Sequence, residues 1–521
     1  MVKIIKPQII IPMSGIGKRF IDAGYYHIKP LIPIGNSRLI YEVMSMFPGI
    51  EDPLFIIAKE HKQKGDLLKY LRDNWPSSKI SEIPAHKLGP GHAIYESKDF
   101  IDLNRPSIVS YCDFAGDWNF EDFCNELSKV DSLILTYTGF HPHMLRNTKY
   151  AYVKKDLDGF VTEIQEKNSF TDSPTSEEAS AGLYAFASGT LLIESLEEQI
   201  KMNYSHFNEF YCSLTIKPLL DKGLKVKTFL MKKFMQFGTP EDLKDWTYIY
   251  KAVHDQNLKD LEQVSTKKEK SGHGTSIILA GGLGSRLSDF SQTPKPFLKI
   301  YDRELWQISN DAAEQANNKY IIIRKEFAPY LKGTSMVEPI LLDKPTQGQA
   351  DTARFALNVI KKTSEPITFM SCDNIINKED YSRALKLLDD FDLIVWTAFG
   401  YPMSMYKPNR YSWVNLDSHR VTGFSLKSLP VAFKNPCVVI GNFTFRNSDL
   451  AQKLIEESFK SADRYSSEIY LDSVIQIALE FGYEVGSINS EKFFAIGTEE
   501  EVNTFNYYLD LEMSSKFNIW T

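Results

Sequence analysis

The chain has 521 residues, yet only five are cysteine. Cys112, Cys124, Cys212, Cys372 and Cys437 form no C-x-x-C pair and have no clustered histidine partner. A zinc site and a disulfide framework are therefore not expected, and a reduced, cytoplasmic setting fits. No apolar run reaches the ~18 residues that would span a membrane, and residues 1–13 are too short and lack a small-residue cleavage site. Positive charge is not in excess: 60 Lys and Arg against 67 Asp and Glu leave a net charge of −7. That excludes a global field for nucleic acid while allowing a local basic pocket for a phosphorylated small molecule. With 43% hydrophobic and 24% charged residues, disorder and a collagen-like chain are excluded as well. What remains is a globular chain long enough for three to four domains of ~150 residues, or two large α/β ones.

What the sequence does have is an internal duplication. IIIPMSGIGKRF (residues 9–20) is answered by SIILAGGLGSRL (residues 276–287), and each leads to a Lys-Pro pair, at Lys29 and Lys295. Asp113 and Asp373 follow in IVSYCDF and ITFMSCDN. Residues 150–167 match 411–428, residues 209–229 match 468–488, and QFGTPEDL matches AIGTEEEV. Six blocks in one order, at a spacing of about 260 residues, imply two homologous domains, residues 1–256 and 275–521, joined by a charged linker over 257–274. In the first of them, short β-branched runs (residues 9–11, 54–57, 108–111 and 133–135) alternate with helical spacing such as that of residues 62–74. Each domain is thus expected to be α/β, a mostly parallel sheet with helices on both faces and ligands beyond the strand ends.

The glycine-rich turns after the first strand of each repeat suit phosphate, because backbone N–H groups can approach it without a Cβ in the way. They fit neither the G-x-x-x-x-G-K-[ST] loop nor the three-glycine dinucleotide fingerprint, since Gly15-x-Gly17 leads to Phe20 and Gly282-x-Gly284 to Leu287. What is left is G-x-G-x-R, ending at Arg19 and Arg286, with a lysine nine or ten residues on. With these residues, the Lys-Pro pairs and the strand-end aspartates, each half resembles the sugar-1-phosphate nucleotidylyltransferases and related cytidylyltransferases, and the likeness covers nearly the whole chain.

The resemblance implies two Rossmann-like domains and a reaction in which an NTP and a phosphorylated sugar or polyol give a nucleotide-linked product and pyrophosphate. It implies that Arg19 and Arg286 grip the triphosphate, that Lys29 and Lys295 lie over the reacting phosphates, and that Asp113 and Asp373 hold Mg²⁺. Gly15, Gly17, Gly281, Gly282 and Gly284 would form the anion cradle, and Gly91 and Gly348 fall where the family's base-recognition loop lies. Glu166, Lys167 and Gly182 would bind the acceptor; Lys427 and Gly441 are their counterparts, but Leu426 replaces the glutamate. The family's second metal-binding Asp is absent from both halves, where Gln236 and Ala495 stand. These departures leave two readings: a tandem, bifunctional enzyme serving capsule or other surface-glycan synthesis, or one active half with a silent, nucleotide-sugar-binding regulatory half. A glycosyltransferase would not be expected to have G-x-G-x-R followed by Lys-Pro. A homo-oligomer is among the assemblies left open. Elsewhere, Trp246, Tyr248 and Tyr250 are expected to pack a terminal helix, His141 and His143 to lie in a solvated loop, and the basic run at 267–270 to be linker.

Overall fold

A computed structural model describes residues 5–61, 64–254, 273–282, 284, 287, 291–300, 303–461 and 469–513. Arg286, the run at 267–270 and all of the expected linker except His273 and Gly274 lie outside the described residues. The chain divides into two compact units, one running to Lys244 and resuming at Asp510, the other spanning Asp245–Leu509.

The first unit is built on strands β1 (Gln8–Pro12), β2 (Leu54–Ala58), β3 (Lys79–Ile83), β4 (Ser107–Ser110), β5 (Phe114–Asp117), β6 (Ser132–Tyr137), β7 (Tyr152–Lys155), β8 (Val161–Gln165), β9 (Glu178–Phe186), β10 (Val226–Leu230) and β11 (Lys233–Gln236). Nine of these form one sheet in the order β8-β7-β9-β4-β1-β2-β3, with β6 beside β9 and β10. β1 is parallel to both β2 and β4 and buried along its whole length, which is why it reads as an unbroken apolar run. Helices such as Lys64–Asn74 and Pro90–Glu96 make the crossovers that parallel pairing requires. The long strand β9 enters antiparallel between β4 and β6, so the sheet is mixed, with its parallel part around β1. Ile10, Ile56, Val109, Ile134 and Tyr184 belong to its core.

The second unit repeats the plan with β12 (Thr275–Ala280), β13 (Asn318–Arg324), β14 (Glu338–Leu342), β15 (Ile367–Ser371), β16 (Leu393–Ala398), β17 (Trp413–Asp417), β18 (Arg420–Ser425), β19 (Pro436–Phe445) and β20 (Val485–Asn489), ordered β14-β13-β12-β15-β19-β16-β20-β18-β17. The α/β class read from the sequence is the fold observed. Among the described residues no helix is long and apolar enough to cross a membrane.

Two side features follow. Trp246 and Tyr250 are buried and stacked 4.9 Å apart, and Tyr248 donates to the Phe493 carbonyl at 3.2 Å, so the aromatic cluster packs a helix (Pro240–His254) as expected. The histidines do not lie in a solvated loop. A turn at Pro142–Leu145 folds them against β6: His141 is only 3% exposed, and His143 Nε2 is 3.1 Å from the Tyr137 hydroxyl. Burial pushes His141 down to about 4 and holds His143 well below the ordinary imidazole value, so both rings are neutral.

Candidate active site

The loop leaving β1 turns at Gly17, whose φ of 65° is left-handed and open to glycine at little cost. The turn lays Gly17 over Lys29, with 3.5 Å between Lys29 Cβ and the place a Cβ on Gly17 would occupy. Lys29 Nζ donates to Asp113 Oδ2 at 2.7 Å. Asp113 follows β4, and the short ladder β5–β11 brings Gln236 and Gly238 beside it, sealed by Phe237 N–H donating to the Asp113 carbonyl at 2.8 Å. Lys29 and Asp113, 84 residues apart in sequence, are thereby held as one pair. The Gly15 carbonyl lies 3.2 Å from His61 Nε2, which ties the cradle to the end of β2.

The second unit builds the same pair. Gly284 has φ 66° and sits tighter on Lys295, 3.2 Å from its Cβ, and Lys295 Nζ donates to Asp373 Oδ2. Burial works against charge on Lys295, but Asp373, Cys372 and Glu501 outweigh it and hold its pKa above the ordinary lysine value. Cys112 and Cys372, beside the two aspartates, are pushed up to about 12 by burial and are not thiolate nucleophiles. Gly281 packs where a Cβ would fall 2.5 Å from the Leu342 side chain, a structural role, whereas a Cβ on Gly282 or Gly15 would meet no atom of the described residues within 4 Å.

Sequence reasoning missed Glu501. It is 4% exposed, accepts from Gly497 N–H at 2.9 Å and from the Tyr411 hydroxyl at 2.6 Å, and closes on the same point as Asp373: a Cβ on Gly497 would lie 3.3 Å from its Oε2 and 3.2 Å from Asp373 Oδ2. In the first unit that point is flanked by Asp113 Oδ2 and the Gln236 amide. Each pair thus has a further oxygen-bearing side chain nearby where the family's second aspartate is absent.

At the expected acceptor end, Lys167 holds φ 58° and its counterpart Lys427 holds φ 50°. A left-handed lysine is strained, and its presence at one place in both repeats marks a site that needs the side chain aimed there. Both ammonium groups lie over a tyrosine, Lys167 at 4.3 Å from the Tyr211 ring and Lys427 at 4.7 Å from Tyr470, and Lys167 also donates to the Tyr211 hydroxyl. Burial raises the Tyr211 pKa, Glu209 and Glu166 add to it, and Arg19 opposes, so the charge of Arg19 reaches this tyrosine from the cradle side. Glu166 accepts from the Ser213 hydroxyl; burial raises its pKa, against Ser213 and Lys167. Gly182 (φ 89°) presses on the partly buried Tyr111 ring, which a Cβ would meet at 2.8 Å, while Gly441 (φ 77°) faces Gln349 and Ser371.

Gly91 is not free to read a base with its N–H, which donates to the Phe210 carbonyl at 2.7 Å. The counterpart of Gly348 in the fold is Gly89: each is a left-handed residue preceding a helix, Pro90–Glu96 or Gln349–Val359. The fold also gathers His86, His92 and Glu96, with His86 Nε2 at 3.5 Å and His92 Nδ1 at 3.8 Å from the carboxylate. Leu88 N–H donates to His86 Nδ1, so the proton of the neutral ring sits on Nε2 and faces Glu96, an arrangement unsuited to a metal at that atom.

A family model described as Nucleotidyl transferase matches the chain twice, over residues 8–252 and 275–511. The chain belongs to the nucleotidyl transferase family. Both copies of the nucleotidyl transferase domain contain a described Lys–Asp pair. Comparison with curated proteins gives no match. Among solved structures, similarity extends to the nucleoside-diphosphate-sugar pyrophosphorylase from Vibrio cholerae RC9, 20% identical over 46% of this chain and 99% of that one, TM-score 0.40. It extends also to a putative glucose-1-phosphate thymidylyltransferase from Bacillus anthracis (20%, covering 46% and 92%, TM-score 0.37) and to the inositol-1-phosphate CTP transferase from T. maritima (15%, covering 46% and 92%, TM-score 0.36).

Proposed function

We propose that each half joins an NTP to a phosphorylated sugar or polyol, releasing pyrophosphate. The observation that carries this is the pair built twice, Lys29 on Asp113 and Lys295 on Asp373, each beneath a left-handed glycine. An oxygen of the acceptor phosphate attacks the α-phosphorus; that P–O bond forms as the bond from the α-phosphorus to the bridging oxygen breaks, and pyrophosphate leaves. No covalent enzyme intermediate is required, so positioning and charge neutralisation are the protein's work. Lys29 and Lys295 would neutralise the reacting phosphates, Arg19 and Arg286 the triphosphate, and Lys167 and Lys427 the acceptor's phosphate.

Mg²⁺ suits the donor set, since Asp113 and Asp373 offer hard oxygens with the Gln236 amide or Glu501 nearby. When bound, Mg²⁺ would supply Lewis-acid neutralisation of the phosphates. The silent-half reading rested on Leu426 and Ala495; the Lys295–Asp373 pair and Glu501 favour an active second half. A cytoplasmic setting accords with NTP supply and with five free cysteines, and an activated sugar or polyol is what glycan-building transferases consume.

The test uses the full chain, because residues 245–254 belong to the second unit and a cut after residue 256 would leave them on the wrong piece. Asp113→Asn and Asp373→Asn should each lower pyrophosphate release from their own half by about 10²–10³-fold, and the double variant should abolish it. Full activity in the double variant removes both aspartates from the mechanism.

A further inference from the structure

The two halves differ most at the acceptor end, and the differences are reciprocal. In the first half the carboxylate is Glu166, at the end of β8, held by the hydroxyl of Ser213. In the second half the position of Glu166 is Leu426, the position of Ser213 is Asp472, and the position of Ala151, next to Tyr150, is Ser412, next to Tyr411. The register is set by the fold: the left-handed lysines coincide, the tyrosines beneath them coincide, and Ser213 and Asp472 each lie two residues after those tyrosines in matching turns, Cys212–Thr215 and Leu471–Ser473.

The carboxylate has therefore moved from the end of a strand to the turn Leu471–Ser473. The Glu166 carboxylate sits on Ser213; Asp472 starts from the backbone position of that serine and supplies a carboxylate there directly. Ser412 donates to Asp472 Oδ2 as Ser213 donates to Glu166, and Lys427 Nζ lies 3.9 Å from the same oxygen. Asp472 is 6% exposed, and a buried carboxylate is costly unless it is hydrogen-bonded and paired, which Ser412 and Lys427 accomplish. Three positions far apart in sequence have changed so that charge, hydroxyl partner and lysine are all retained.

We propose that Asp472 is the acceptor-binding carboxylate of the second half, standing in for Glu166, and that this half takes a different phosphorylated sugar or polyol from the first. The assignment rests on the nucleotidyl-transfer reading. A carboxylate reads the acceptor by accepting from its hydroxyls, and the two halves present it from different elements, the end of β8 in the first and the turn Leu471–Ser473 in the second. Leu426, 45% exposed, cannot accept a hydrogen bond, so a hydroxyl bound by Glu166 finds no partner at that position. The floor changes too: the Tyr111 ring lies against Gly182, whereas the Gln349 amide and Ser371 lie against Gly441. A second half specific for an acceptor lacking one hydroxyl that the first half requires follows from these replacements.

The test isolates each half within the full chain, using Asp113→Asn to silence the first and Asp373→Asn to silence the second. Pyrophosphate release is followed with CTP, UTP, GTP, ATP and dTTP against glucose 1-phosphate, mannose 1-phosphate, inositol 1-phosphate and glycerol 3-phosphate. The two silenced chains should prefer different acceptors. In the Asp113→Asn chain, Asp472→Asn should raise the acceptor KM by on the order of tenfold while leaving the NTP KM unchanged. Ser412→Ala, which removes only the supporting hydroxyl, should raise it less in the same direction. The combined exchange Leu426→Glu, Asp472→Ser, Ser412→Ala should move the preference toward the acceptor of the first half. One shared preference in both silenced chains, or an acceptor KM unmoved by both Asp472→Asn and Ser412→Ala, overturns the assignment and leaves nucleotidyl transfer standing. No turnover by the Asp113→Asn chain with any pair, alongside an active Asp373→Asn chain, overturns both for this half.

Discussion

Set side by side, the turns Gly238-Thr239 and Gly497-Thr498 show how one methylene redirects a carboxylate. In the first half, Asp242 closes a capping box on the helix that follows: Thr239 N–H donates to Asp242 Oδ2 at 2.9 Å, and Asp242 N–H donates to Thr239 Oγ1 at 3.1 Å. In the second half the same position is Glu501, whose longer side chain reaches Gly497 N–H and the Tyr411 hydroxyl and comes to rest beside Asp373. Lys29 therefore faces one carboxylate and the Gln236 amide, and Lys295 faces two carboxylates. Similar chemistry is held by a different charge balance.

The largest expected effect breaks that balance. Lys295→Met leaves Asp373 and Glu501 without their cation, and removing one partner of this half-buried pair should cost up to the ~3–5 kcal/mol of a fully buried one. Lys29→Met leaves one carboxylate beside a neutral amide and should cost less. Hydrogen exchange read unit by unit separates the two losses, which a single melting temperature would not. Equal losses in the two units would mean that Glu501 adds nothing to the charge around Lys295.

A smaller effect sharpens the comparison at the helix starts. Gly91 and Ala350 both donate their N–H to a facing carbonyl, of Phe210 at 2.7 Å and of Ile469 at 3.2 Å. A Cβ on Gly91 would lie 2.8 Å from the Phe210 oxygen and 3.2 Å from Gln199 Oε1. Ala350 has its Cβ, and at the position of Gln199 the second half has Ser458, whose hydroxyl turns back to the Ile455 carbonyl. Gly91→Ala should destabilise the first unit by about 1–3 kcal/mol through overpacking, and Ala350→Gly the second by about 1 kcal/mol or less. Thermal melts of the two variants check the order.

These cases also show what the sequence made legible. The duplication, the Lys–Asp pairs and the two left-handed lysines, Lys167 and Lys427, stand in short blocks whose letters repeat, and the fold brings each Lys–Asp pair together. Tyr211 and Tyr470 were inside a repeated block, but their part depends on a left-handed lysine, and no letter announces a positive φ on lysine. Asp472 and Ser412 meet across 60 residues, so their compensation for Leu426 is visible only once the strands are placed. Matching glycine to glycine misled at Gly91, because the repeats align on the left-handed position, Gly89 with Gly348.

The smallest effect tests the carboxylate of the first half, Glu166, through pH. Burial holds the Glu166 pKa above its ordinary value, so the folded state keeps a proton that the unfolded chain gives up. Stability from this group is then fully present below the ordinary carboxylate pKa and declines as pH rises toward the folded pKa, beyond which the cost is constant. Glu166→Gln removes that cost while keeping the shape, so the variant should melt slightly above the parent at pH 7, with the gap closing as pH falls below the ordinary glutamate range. Leu426→Gln, at the matching position of the second half, removes no carboxylate and should show no such pH-dependent gap. A gap at Glu166→Gln that stays constant across pH would mean that the substitution acts through packing, and burial of the charge would no longer account for how this wall of the first site differs from the second.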